Sequence, residues 1–167
     1  RRKRILVIQN ENSNRRYKND LCKMTSGLKK AELDLVDAHL LIHTIEKDGD
    51  DTLWLKHAKN ANAIAQVIAK YQPDIVMFDP LAAFCTGLTN DTRMIETCVE
   101  LQRLARLGNP DAAVVLVHHT KTSANGMKHL LGADRASYGR GSGTLHGIAR
   151  GIINIGSPDA GDTGKII

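Results

Sequence analysis

Two short apolar runs, each closed by polar residues, limit what this chain can fold into. One is Pro73-Asp74-Ile75-Val76-Met77-Phe78-Asp79-Pro80; the other is Ala112-Ala113-Val114-Val115-Leu116-Val117-His118-His119-Thr120. Uninterrupted apolar runs of this length, bounded by turn residues, suit strands covered on both faces of a parallel sheet. Open parallel sheets take their ligands outside the carboxyl ends of the strands. Asp79 and the His118-His119 pair stand at such ends.

The rest of the chain supplies partners for those strands. Arg4 to Ile8 reads as a short buried strand, after which Asn12 or Ser13 can cap a helix. Tyr17, Leu21, Met24 and Leu28 then recur at helical spacing and predict an apolar stripe. Leu40 to Ile45 reads as a strand and Asp48 to Asp51 as a turn. Trp54, Ala58, Ala61, Ala65 and Ile68 give a second helical period, which Pro73 ends. That helix feeds the Asp79 strand, a unit whose crossover is expected to be right-handed. Leu81 to Thr89 reads as a loop. Asn90 or Asp91 can cap a helix carrying Met94, Cys98, Leu101 and Ala105, stopped by Gly108 and Pro110. Lys121 to Gly143 is long, polar and without a period, as functional or disordered loops are. Ile148 to Ile155 reads as a last strand. Strand alternating with helix gives an α/β class with a mainly parallel sheet.

Length and composition fit a single domain over residues 1–167, with aromatics at only 4%. A core of Ile, Val, Leu and Ala is expected. The net charge of +5 permits contact with nucleic acid without establishing it. Cys22, Cys85 and Cys98 are odd in number and lack C-x-x-C spacing, which points to reduced thiols in a cytoplasmic protein. No apolar run approaches a membrane span. The chain begins at Arg1 without a methionine and stops at a strand-like Lys165-Ile166-Ile167, so it reads as a piece of a larger protein, truncated at both ends.

Several residues could carry chemistry. Glu11 follows the first strand, where a carboxylate can polarise a water; it can equally be a surface acid favouring the next helix's N-terminus. Asp79 precedes Pro80, so it is either a turn-starting aspartate or a carboxylate that holds Mg²⁺. His118 and His119 are adjacent, point to opposite faces of a strand, and do not suit one metal together. With His129 and His146 they offer no zinc spacing. Gly139 to Arg150 is rich in glycine and bracketed by Arg140 and Arg150. The basic residues from Arg15 to Lys30 read either as a solvated helix face or as phosphate contacts. A phosphate-binding G-x-x-x-x-G-K-S/T occurs nowhere in these residues. Gly161 to Ile166 comes nearest, lacking the first Gly and the final Ser/Thr.

Taken in order, four segments resemble the RecA-like P-loop ATPase core of the RepA-type hexameric replicative helicases. They are Asn10-Glu11-Asn12 after a strand, Val76 to Leu81, Val117 to Lys121, and Arg140-Gly141-Ser142-Gly143 with Arg150 ten residues on. The likeness spans nearly the whole chain. It implies a RecA-like sheet flanked by helices on both faces, with the phosphate-loop strand and helix upstream of Arg1. It implies ATP and Mg²⁺, with Glu11 activating the attacking water, Asp79 as the Walker B residue, His119 sensing the γ-phosphate, Arg140 near the nucleotide, and Arg150 as an arginine finger lent to a neighbouring subunit in a homohexameric ring. The 121–138 stretch matches the channel-facing loop, placing Lys121, Lys128 and Arg135 on single-stranded DNA. In the AAA+ class the base usually follows the Walker B aspartate directly; here Pro80 does, which favours RecA-like enzymes. Another function class is a non-catalytic or regulatory RecA-like module that binds DNA or protein partners.

In RecA-like sheets the phosphate-loop strand lies between the His118 strand and the one read at Ile148–Ile155. Without it, the expectation is that Ile148–Ile155 slides in beside the His118 strand, or that another chain pairs there.

Overall fold

The computed structural model describes residues 2–45, 55, 58–85, 91–119 and 144–153. Strands β1 (Ile5–Gln9), β2 (Leu40–Thr44), β3 (Ile75–Asp79) and β4 (Ala113–Leu116) form one sheet in the order β2-β1-β3-β4. Every pairing in it is parallel. Helices α1 (Asn14–Met24), α2 (Lys30–His39), α3 (Ala58–Tyr71), α4 (Asp91–Arg106) and α5 (Thr144–Ile148) flank the sheet. This is an α/β, RecA-like arrangement.

Strand alternation decides where the core sits. Leu6 lies opposite Val76 and Ile8 opposite Phe78, so the four share one face, and all are fully buried. Onto that face α3 brings Ile64 and Ile68, and α4 brings Met94, Cys98, Leu101 and Ala105. Each large side chain buried in this way contributes about 1.5–3 kcal/mol relative to an exposed one. The two phenylalanines of the chain, Phe78 and Phe84, meet edge to face with centroids 5.3 Å apart and planes at 80°. Phe84 is delivered by a 3₁₀ turn at Leu81–Ala83. The first part of the expected loop, Leu81 to Cys85, therefore belongs largely to the core. Cys85 and Cys98 are buried and form no disulfide; burial first, then the neighbouring Cys85, pushes the Cys98 thiol up to about 11.

At the opposite end of the sheet, Asp74 is buried and accepts hydrogen bonds from the Arg4 backbone N–H (2.9 Å) and Lys3 Nζ (3.1 Å). This ties the start of β3 to the entry of β1 and fixes their register.

Four expectations need correction. The Ile148–Ile155 strand does not form over its described part: Ile148 closes α5, and residues 149–153 carry no strand. Leu145 and Ile148 are three apart, a helical spacing, and pack against the core cluster. Residues 154 and 155 lie outside the described residues. No described strand pairs with the outer edge of β4, so the chain does not close that edge with Ile148–Ile153. The stripe of Tyr17, Leu21, Met24 and Leu28 is not core: α1 buries no residue, Met24 is 82% exposed, and Leu28 lies beyond the helix. β4 stops at Leu116, short of the histidines. Val117 extends the ladder only by donating to the Phe78 carbonyl (3.0 Å) and accepting from the Leu81 N–H (2.7 Å). Helix α2 has no counterpart among the sequence expectations. Trp54 and the Asp48–Asp51 turn lie outside the described residues.

Gly108, just past the end of α4, lets the chain pass close to α3. Its backbone is not left-handed, but a Cβ there would sit 2.4 Å from the Ile68 carbonyl oxygen of α3. Gly108→Ala is therefore expected to cost about 1–3 kcal/mol through overpacking. A urea titration checks this: the midpoint falls while the slope is unchanged.

Candidate active site at the carboxyl edge of the sheet

The parallel sheet brings the carboxyl ends of β1, β3 and β4 to one edge. Gln9, the last residue of β1, lies opposite both Asp79 at the end of β3 and Thr44 at the end of β2. Glu11 stands two residues beyond β1, and His119 three beyond β4.

Gln9 builds the loop that carries Glu11. Its side chain is fully buried, where an unpaired amide would be costly. It pairs instead with both backbone groups of Asn12. Its Nε2 donates to the Asn12 carbonyl (2.7 Å), and its Oε1 accepts from the Asn12 N–H (2.9 Å). Nε2 also donates to Thr44 Oγ1 at 2.5 Å. The turn from Gln9 to Asn12 is thereby clamped, with Glu11 exposed on it. Ser13 then caps α1, its Oγ accepting from the Arg16 N–H at 3.3 Å. A cleft of about 210 Å³ opens here, lined by residues 10–14 with Thr44 and Ile45.

Glu11 and His119 face each other, with Oε2 and Nε2 3.5 Å apart. Both side chains are about half exposed, so the pair contributes little to stability, about 0–1 kcal/mol. Asp79 is half-buried, and its Oδ2 accepts a 2.9 Å hydrogen bond from the Tyr17 hydroxyl of α1. The Tyr17 phenol is pushed up to about 12, first by burial, then by the bond to Asp79 and its charge, and last by the charge of Glu11. Tyr17 thus lies within the electrostatic reach of both carboxylates. The Asp79 Oδ1 accepts no hydrogen bond from the described residues.

Glu11, Asp79 and His119 are therefore brought to one place. Arg150 is not tied to them: it is exposed just beyond α5, and no hydrogen bond or ion pair among the described residues joins it to the three. Lys121, Lys128, Arg135 and Arg140 lie outside the described residues. Sequence reasoning missed Gln9 and Tyr17. The signal for Gln9 is a polar residue closing an apolar strand. The signal for Tyr17 is a hydroxyl within an otherwise apolar stripe.

A family model described as an AAA domain, AAA_25, matches residues 1–125. The chain belongs to the AAA_25 family of AAA domains. The match takes in Glu11, Asp79 and His119 and stops before Lys128, Arg135, Arg140 and Arg150. An AAA domain carries an ATPase-type function of the P-loop NTPase class, with general use of a nucleotide and Mg²⁺. No curated protein matches the chain.

The donor chemistry of this AAA domain suits that ion. Mg²⁺ is usually held by one or two carboxylates together with water and substrate phosphates, not by an all-protein cage. Asp79 offers one such oxygen while its other is fixed by Tyr17. Among the described residues no three His, Cys, Asp or Glu side chains cluster as a cage would require. No described helix of the AAA domain is long and apolar enough to cross a membrane.

Proposed function

We propose that the protein is an ATP-hydrolysing motor on single-stranded DNA, of the RepA-type replicative helicase kind, working as a homohexameric ring. The observation that carries this reading is the convergence of Glu11, Asp79 and His119 at one sheet edge, with the base on β1's end and not beside Asp79. Glu11 takes a proton from the attacking water. Asp79 would hold Mg²⁺, and the ion, when bound, would supply neutralisation of charge on the transferring phosphoryl group. His119, 3.5 Å from Glu11, links the γ-phosphate position to the base. Arg140 contacts the nucleotide, and Arg150 reaches the site of the neighbouring subunit. Lys121, Lys128 and Arg135 follow the DNA backbone in the channel.

The competing reading is a regulatory RecA-like module that binds DNA or protein partners without turnover. ATP hydrolysis by the full-length protein separates the two. Severalfold stimulation by single-stranded DNA is expected. Replacing Lys121, Lys128 and Arg135 together with Ala should lower the salt slope of DNA binding by about 2, at roughly 0.7 per lost contact. No hydrolysis with or without DNA favours the regulatory module. Hydrolysis with an unchanged salt slope moves the DNA contacts elsewhere, with the exposed basic residues of α1 as the next candidates.

A further inference from the structure

We propose that Tyr17 is a positioning residue for the cation-binding carboxylate: its hydroxyl holds one oxygen of Asp79 so that the other is presented to the metal. The inference rests on the reading of Asp79 as the Mg²⁺ residue.

The geometry gives Tyr17 a defined path to Asp79. Gln9 clamps the turn after β1, and Ser13 caps α1. The Tyr17 N–H then closes the first helical turn on the Ser13 carbonyl at 3.1 Å. Gln9 is also the register partner of Asp79. The phenol is thus aimed at Asp79 from α1, the helix that follows the neighbouring strand, by a short chain of hydrogen bonds. It spans 62 residues of sequence to reach a 2.9 Å contact with Oδ2.

The chemistry of the contact is directional. A phenol hydroxyl donating to a carboxylate makes a strong, charge-assisted bond. It orients the carboxylate plane and removes one oxygen from competition. Oδ1 receives no hydrogen bond from the described residues and retains its lone pairs for a cation or its water. Since α1 buries no residue, its packing contributes little to holding the helix, and the Tyr17 bond is a larger part of what joins it to the sheet edge. Tyr17 is half-buried, with its hydroxyl on the functional carboxylate.

The test measures metal affinity without turnover. Mn²⁺ replaces Mg²⁺ as the probe, and free Mn²⁺ is counted by electron paramagnetic resonance in the full-length protein with a non-hydrolysable ATP analogue. Tyr17→Phe keeps the ring and removes only the hydroxyl; an unchanged urea midpoint or a small drop shows that the fold is retained. The expected result is Mn²⁺ affinity weakened by about 3–10-fold, the scale of one lost hydrogen bond. Asp79→Asn should weaken it further, and adding Tyr17→Phe to Asp79→Asn should change nothing more, because Tyr17 acts through Asp79. Undiminished affinity in Tyr17→Phe, with Asp79→Asn weakened, overturns the positioning role and leaves the Asp79 reading standing. Additive losses in the double variant overturn it as well. Undiminished affinity in Asp79→Asn instead overturns the Asp79 reading itself.

Discussion

On the proposed function, Arg150→Ala is expected to slow ATP hydrolysis by about 10³–10⁵-fold in the assembled protein, the range seen when an arginine finger is lost. Arg150 is exposed just beyond α5, and among the described residues no hydrogen bond or ion pair joins it to Glu11, Asp79 or His119. A finger supplied in trans needs no such tie. The distinguishing measurement is complementation. Subunits with Arg150→Ala keep an intact Asp79, and subunits with Asp79→Asn keep an intact Arg150. In a mixed ring, some interfaces combine the good half of each, and part of the activity returns. Assembly is checked by sedimentation. Mixed rings that form and yet stay inactive at every ratio would show that no site is shared between subunits.

Glu11→Gln has the second largest expected effect. The substitution keeps the length of the side chain and removes its ability to take a proton. Turnover should fall by about 10²–10⁴-fold, as with the loss of a general base. Nucleotide affinity should be nearly unchanged, since Glu11 is about half exposed and Gln can still meet His119 while Asp79 is left intact. Single-turnover hydrolysis measured beside equilibrium nucleotide binding separates the two quantities. Turnover at the wild-type rate would assign the base to another residue.

The parts of the fold legible in the sequence were those whose signal is local. Val76 to Asp79 reads as a strand because continuous apolar residues ending in a charge have few other uses. The Met94, Cys98, Leu101 and Ala105 stripe reads as a helix because all four reach the core. Helix α2 escaped because none of its residues is buried, so its sequence carries little periodic contrast. The stripe in α1 misled for a related reason: helical spacing shows which residues share a face, not whether another surface covers that face. Ile148–Ile155 misled because β-branched residues near glycine look like a strand, whereas Leu145 and Ile148 pack from a helix.

The site divided along the same line. Glu11, Asp79 and His119 were legible as polar residues at strand ends, and the parallel register brought those ends together. Tyr17 was not, because it lies on a helix and its partner ends a strand far along the chain. Only the pairing of β1 with β3 makes them neighbours.

That pairing also governs how the chain reaches its native state. β1 sits inside the sheet, and both of its neighbours, β2 and β3, are synthesised after it. Until Leu40 to Thr44 and then Ile75 to Asp79 have emerged, Leu6, Val7 and Ile8 have no strand beside them. Contacts of such long sequence separation form slowly, since loop closure must precede any reward. The nascent chain therefore carries an apolar strand without its neighbours until β2 and then β3 emerge, the kind of segment that chaperones shield and that aggregates when unshielded.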